Sequence, residues 1–247
     1  MARQSRQVQM PTILLTRPTQ ASDRFALSLR DRFGPGIRIV VSPLLSPLLL
    51  APPLPAGLFR ALVFTSETGV AGFRQVCADT GLPAWCVGHR TAAAARDAGF
   101  ETMSANGDLD DLVEGIRNLR LTGPLLYARG RDTAGNLAER LLSLNIPVTE
   151  LVVYEQHATP LTPLAAALLA EKRPVLAPLF SPRTAALFCA EPPVQQRHAP
   201  LMIAALSPAV AAASSAARAK QTVCAARPDA AAMLDAIASL LATATQP

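Results

Sequence analysis

Aromatic residues are scarce in this sequence: they make up 4% of its 247 residues, with one tryptophan and two tyrosines. A core must therefore rest mainly on Leu, Val, Ile and Ala, and since half of the residues are hydrophobic there is ample material for one. Cofactor signatures are missing too. There is no GxGxxG and no GxxxxGK[ST], which argues against a bound nucleotide. There is no GxSxG elbow and no HExxH. The four cysteines, Cys77, Cys86, Cys189 and Cys224, include no CxxC pair, and His89, His157 and His198 show no ligand spacing, so neither a metal nor a redox role is expected. Cys86 and Cys224 lie in apolar, strand-like runs and are expected to be buried and structural. Long apolar runs are absent as well. The run SPLLSPLLLAPPLP, Ser42 to Pro55, is broken repeatedly by proline and falls short of the roughly 18 residues a membrane helix needs. The N-terminal MARQSRQVQMPT has no apolar h-region. A cytoplasmic protein without a membrane partner is the expectation. The net charge is +5, but Lys and Arg are scattered, with neither the basic stripe nor a motif of a nucleic-acid binder. A small polyanion is the better ligand class, and a plain excess of surface arginine is the alternative.

What is present is a rhythm of short apolar strands and amphipathic helices. TILLT (Thr12 to Thr16) reads as a strand buried on both faces, and a helix with Phe25, Ala26, Leu29 and Phe33 on one face follows it. Ile37 to Val41 is a strand, and the proline-rich run to Pro55 reads as an extended linker. Further strands are expected at Ala61 to Phe64, Trp85 to Gly88 and Pro124 to Ala128. Helices are expected after Ser66, from Thr91 to Ala98, from Asp108 (as N-cap) through Leu119, and around Leu137 and Leu141. Arg129-Gly130-Arg131 reads as a turn. PVTELVVYEQ, Pro147 to Gln156, alternates and is rich in β-branched residues, so it reads as the strand that returns between two lobes, with Tyr154 facing the gap. The rhythm then resumes: a helix at Leu164 to Glu171, strands at Pro174 to Phe180, Leu201 to Leu206 and Thr222 to Ala225, helices opened by Ser181-Pro182 and Ser207-Pro208, and a last helix capped by Asp229.

This pattern implies an α/β protein with parallel sheets covered on both faces. The expected division is a discontinuous first lobe, residues 1–41 and 158–247, an inserted second lobe, residues 56–147, and two connections, residues 42–55 and 148–157, with a cleft between the lobes. An internal echo supports two related lobes. Ser66 to Phe73 and Ser181 to Phe188 are the same step, each after a strand ending in Phe, and each is followed by a short strand and an alanine-rich helix.

Small hydroxyl residues recur where a strand hands over to a helix: Thr16, Thr65, Ser66, Ser181 and Ser207. Each can simply cap its helix, worth about 1 kcal/mol. Such positions are also where open α/β sheets bind ligands, and free N–H groups at helix N-termini favour anions. Arg17, Arg129 and Arg131 follow strands, where they can clamp an acidic group or pair with a neighbouring carboxylate. Tyr154 carries a phenol that keeps its proton at neutral pH, so it can act as a weak general acid or pack at a lobe junction. Gly107-Asp108 through Asp111 sit at a helix start, where acids suit the dipole rather than a metal.

Taken together, ILLTRP (Ile13 to Pro18), FTSETGV (Phe64 to Val70), VGHRTA (Val87 to Ala92), ARGRDTAGNL (Ala128 to Leu137), VVYE (Val152 to Glu155), LFSPRTA (Leu179 to Ala185) and ALSPAVA (Ala205 to Ala211) resemble, in order, the uroporphyrinogen-III synthase family. The resemblance implies two flavodoxin-like lobes joined by two extended connections, with the active site in the cleft. It implies a cofactor-independent, metal-free, monomeric lyase that closes the linear tetrapyrrole hydroxymethylbilane to uroporphyrinogen III, with inversion of the last ring and loss of water. By position, Tyr154 is implied as the catalytic group that helps the terminal hydroxyl leave. Arg17, Thr65, Ser66, Thr91, Arg129, Gly130, Ser181 and Ser207 are implied to bind the polycarboxylate substrate. The family often has threonines after the Ser-Pro pair at Ser207, whereas here Ala209 and Val210 follow. A two-lobed binding protein for an anionic ligand or a tetrapyrrole, without catalysis, is the competing class.

Overall fold

The computed structural model describes residues 10–79, 81–118, 123–132 and 135–244. In chain order the elements are β1 (Thr12–Leu15), α1 (Thr19–Phe33), β2 (Ile39–Val41), β3 (Leu45–Leu49), β4 (Ala61–Phe64), α2 (Glu67–Val76), β5 (Ala84–Cys86), α3 (His89–Asp97), β6 (Thr102–Ser104), α4 (Leu109–Asn118), β7 (Leu125–Gly130), α5 (Leu137–Ser143), β8 (Val148–Ala158), α6 (Pro163–Ala170), β9 (Val175–Leu179), α7 (Pro182–Ala190), α8 (Pro192–Gln195), β10 (Leu201–Ala205), α9 (Pro208–Ala213), β11 (Gln221–Cys224) and α10 (Ala230–Ala244). Among the described residues, no helix is long and apolar enough to cross a membrane.

The chain divides into two compact units, one formed by Met1–Ser46 with Ala158–Pro247 and the other by Pro47–His157. The first unit holds a five-stranded sheet in the order β11-β10-β9-β1-β2, with every neighbouring pair parallel. Taken in their own chain order these strands run 2-1-3-4-5, the flavodoxin-like arrangement. β1, β9 and β10 are buried along their whole length because helices cover both faces: α6, α7 and α9 on one, α1 and α10 on the other. The edge strand β11 alternates exposed and half-buried residues instead. Pro178 sits inside the central strand β9, yet β1 and β9 pair only at Thr12–Val175 and Ile13–Leu176. By the alternation of a parallel ladder the Pro178 nitrogen faces β1, where it has no hydrogen to donate, so pairing stops below the C-terminal ends of the two strands.

The second unit holds the sheet β3-β8-β7-β4-β5-β6, in which β4 to β8 are parallel to one another, while the edge strand β3 runs antiparallel to β8. Its core is split by the sheet. Val70, Phe73, Ala92 and Ala95 of α2 and α3 pack on one face, and Leu112, Val113, Ile116, Leu137 and Leu141 of α4 and α5 pack on the other. Set aside β3, and the two sheets have one spatial plan entered at different strands. β9, β10 and β11 occupy the places of β4, β5 and β6, and β1 and β2 those of β7 and β8. The echo read from the sequence therefore has a topological basis: Ser66 and Ser181 each follow the central strand of their own sheet.

Several local expectations change. The proline-rich run is not all linker, because Leu45–Leu49 forms β3, an edge strand in which Pro47 is tolerated. Arg129 and Gly130 are not a turn but the end of β7. Thr91 does not open its helix. Gly88 is the N-cap, and Thr91 is a buried residue of the first turn of α3. Thr102–Ser104 and the short α8 were not expected from pattern at all. Cys86 is buried, but Cys224 is exposed because β11 is an edge strand. Leu119, expected on the apolar face of α4, lies outside the described residues.

Candidate active site

In an open α/β sheet the ligand crevice lies beyond the C-terminal ends of the strands, where crossovers leave for opposite faces. In the second unit that point is between β4 and β7, and the residues there are Thr65, Ser66, Arg129 and Gly130.

Ser66 caps α2, its hydroxyl accepting a hydrogen bond from the Gly69 N–H at 3.0 Å. The same hydroxyl is 3.1 Å from the Tyr154 phenol oxygen. Three glycines make this approach possible. A Cβ on Gly72 would lie 2.6 Å from the Val153 carbonyl oxygen, and one on Gly69 would lie 3.0 Å from that of Ala128, so α2 rests directly on β7 and β8. A Cβ on Gly130 would lie 2.6 Å from Cζ of Tyr154, so the phenol ring occupies the space that the missing side chain leaves. A β-bulge at Arg129/Gly130 puts Gly130 opposite Tyr154 and leaves Val153 as the extra residue, which re-aims the tyrosine at the helix N-terminus. Tyr154 is half-buried, packed against the α2–α3 face.

Thr65, one residue earlier, is bonded to the chain's other tyrosine, with its Oγ1 2.9 Å from the Tyr127 hydroxyl. Tyr127 is 4% exposed, and burial pushes its phenol above the usual tyrosine value. It is a site residue that the sequence reading passed over, as are Gly69 and Gly72. The readable signals were a tyrosine at the end of an apolar strand and two glycines one turn apart in a helix.

Arg129 turns inward. Its Nη1 donates to the carbonyls of Gly130 and Arg131, at 3.0 and 3.1 Å, and Nη2 donates to Glu150 at 3.3 Å. Nε lies 2.8 Å from Glu150 Oε1 but is not aligned as a hydrogen bond, so that contact is an ion pair. The arginine thus braces the strand end it belongs to. Arg131 pairs with Glu155, which also meets His157 Nε2 at 2.6 Å, and these two partners hold the Glu155 carboxyl below the usual range, His157 contributing most.

In the first unit the matching point lies between β1 and β9. The Arg17 guanidinium stacks on the Phe180 ring at 4.0 Å, and Phe25 meets that ring edge-on at 5.0 Å. Ser181 caps α7, accepting from the Thr184 N–H at 3.2 Å and donating to the Thr184 hydroxyl at 2.9 Å. Ser207 caps α9, accepting from the Val210 N–H at 3.4 Å. Thr16 Oγ1 is buried without a hydrogen-bond partner. The structure thus brings Thr65, Ser66, Gly130 and Tyr154 into one constellation with Arg129 behind it. Arg17, stacked on Phe180, and Ser181, the residue after it, lie at the corresponding point of the other unit, and Thr91 lies inside a helix. Among the described residues no group of three or more His, Cys, Asp and Glu is placed to hold a metal. The Asp108–Asp111 cluster is a cap: Asp108 Oδ1 accepts from the N–H groups of Asp110 and Asp111, and Asp111 Oδ2 accepts from that of Asp108.

What this arrangement can do is hold a phenol at a helix N-terminus, with a hydroxyl that has one proton and one lone pair left to share with it. The positive end of the helix favours negative charge that builds on the phenol oxygen as its proton leaves.

Comparison with known proteins bears on the reaction. The family model HEM4, uroporphyrinogen-III synthase HemD, matches residues 36–235. Among solved structures, the uroporphyrinogen-III synthetase of Helicobacter pylori superposes with a TM-score of 0.64 at 19% identity, covering 94% of this chain and 100% of that one. That is a likeness of fold. The uroporphyrinogen III synthase of the extremely thermophilic bacterium Thermus thermophilus has a TM-score of 0.40 at 14% identity, over 95% of this chain and 100% of that one. A search of curated protein sequences finds no match.

Proposed function

We propose the residue roles that follow from one premise: this chain belongs to the uroporphyrinogen-III synthase family, cyclising lyases of tetrapyrrole biosynthesis. The reaction closes linear hydroxymethylbilane to uroporphyrinogen III and releases water. Tyr154 donates its proton to the terminal hydroxyl, which leaves as water, and the chain end becomes an azafulvene-type cation. Attack of the last ring's substituted carbon on that cation gives a spirocyclic intermediate. Its fragmentation and reclosure invert the ring, and the proton lost on rearomatisation balances the one donated. Catalysis beyond that first proton transfer is positioning of one flexible substrate.

The observation that carries the assignment of Tyr154 is its 3.1 Å contact with Ser66, whose hydroxyl is itself held by the α2 N-terminus. Thr65, Ser66, Gly130, Arg17, Ser181 and Ser207, at strand ends and helix N-termini, offer hydroxyl and N–H donors to substrate carboxylates. Thr91 remains a proposed contact through its position near the start of α3. Arg129, assigned to substrate by its place in the sequence, is better proposed as a brace, since Glu150 and two carbonyls hold it. The same reading has the protein act as a monomer in the cytoplasm without membrane or nucleic-acid partners.

The test is Tyr154→Phe. The kcat is expected to fall roughly 100-fold, the range of a positioned general acid, with KM little changed. An unchanged kcat rejects the acid role.

A further inference from the structure

Both tyrosines of the chain end on consecutive residues of one turn: Tyr127 on Thr65, Tyr154 on Ser66. They reach it from opposite faces of the sheet. Tyr154 packs with the α2–α3 cluster, and Tyr127 lies in the α4–α5 cluster with Val63, Trp85, Leu112 and Leu141. Nothing about packing there calls for a hydroxyl. A phenylalanine would fill the same volume and spare the desolvation of a buried phenol, so the hydroxyl is explained by its bond to Thr65 Oγ1. Thr65 in turn sits between Phe64, fully buried at the end of β4, and Ser66, the cap of α2. A rotation at Thr65 would therefore swing the Ser66 hydroxyl off its two partners.

We propose that Tyr127 is a positioning residue for the reaction: from inside the core it holds Thr65, and through Thr65 it keeps the Ser66 hydroxyl against the Tyr154 phenol. The role rests on the assignment of Tyr154 as proton donor. Burial raises the Tyr127 phenol above its usual value, which favours the protonated form that can make the bond. Tyr127 touches no substrate in this account and transfers no proton.

The experiment compares wild type with Tyr127→Phe, and with Thr65→Val, which breaks the same bond from the other side should the first variant fold poorly. The kcat is expected to fall on the order of tenfold in either variant, with KM within about twofold in Tyr127→Phe; Thr65→Val also removes a proposed substrate contact, so only its kcat is compared. In a Ser66→Ala background the further loss from Tyr127→Phe should vanish, because both act on one chain of contacts. A second readout needs no substrate. With two tyrosines in the chain, Cζ-labelled tyrosine gives two carbon resonances, and in Tyr127→Phe the surviving one is Tyr154. That resonance should move from its wild-type position. A full kcat in Tyr127→Phe, additive losses in the double variant, or an unmoved Tyr154 resonance overturns the proposal. Failure of the Tyr154 assignment is seen separately, as an undiminished kcat in Tyr154→Phe.

Discussion

The hydroxyl oxygens of Ser66 and Tyr154 lie 3.1 Å apart although 88 residues separate them in the chain. Ser66 has two duties at once, capping α2 and holding the phenol, and a pair of substitutions separates them. Ser66→Ala removes both and should cost about 1 kcal/mol of stability together with a clear loss of kcat. Ser66→Asp keeps a cap of comparable quality but places a carboxylate beside the phenol. Its stability should return towards wild type while kcat stays low. Denaturant midpoints and initial rates on the two variants check this, and recovery of both quantities together contradicts the second duty.

Gly130 is expected to tolerate no side chain. In Gly130→Ala the new methyl would meet the Tyr154 ring at 2.6 Å, and the ring is the movable partner. The fold should survive with a stability loss of about 1–3 kcal/mol, as for other overpacked sites, while kcat falls as it does in Tyr154→Phe. Melting temperature and kcat measured together decide it. A variant with normal kcat would mean that the ring need not lie over this glycine.

Arg129 and Glu150 separate bracing from substrate binding. If the arginine braces the end of β7, Arg129→Ala and Glu150→Ala should lower kcat and melting temperature to similar extents and leave KM nearly alone. If Arg129 instead holds a substrate carboxylate, only its own loss raises KM. Arg129→Lys should not rescue, because an ammonium cannot reproduce the forked contact with Glu150 and two carbonyls.

Acid sensitivity should arise in part at two helix caps. Backbone N–H donors at the starts of α4 and α10 hold the Asp108 and Asp229 carboxyls below their ordinary value of 3.8. A depressed folded-state pKa gives stability that is present above the unfolded value and is lost as pH falls through the folded one. Asn at these positions still caps but does not titrate. The double variant Asp108→Asn, Asp229→Asn should match wild type near about pH 6 and lose less stability towards about pH 2.5, as read from urea midpoints. Equal losses would place the acid sensitivity elsewhere.

How much of this was legible depended on range. Fully buried parallel strands such as Thr12–Leu15 and Leu201–Ala205 announce themselves as apolar runs, and caps such as Ser181-Pro182 and Asp108 are local chemistry. Short edge elements carry no such mark. Thr102–Ser104 is three half-buried residues, and β3 contains a proline that only an edge position allows. Cys224 was read as buried because its neighbours are apolar, but on an edge strand alternate residues face out. The candidate constellation was half readable. Tyr154 and Ser66 stood out singly, whereas the contact between them depends on a bulge and three glycines whose purpose is evident only once α2 lies on β8. Arg129 is the converse case: its place near a strand end left open a substrate clamp or a neighbouring carboxylate, and the carboxylate it pairs with, Glu150, could be recognised only across the β7–β8 ladder.

The most direct test of the account is the product formed from hydroxymethylbilane generated in situ, with isomers separated after oxidation. The protein should yield the type III isomer above the spontaneous type I background, and Tyr154→Phe should yield far less of it per unit time. Only type I product in the presence of folded wild-type protein would contradict the assigned reaction.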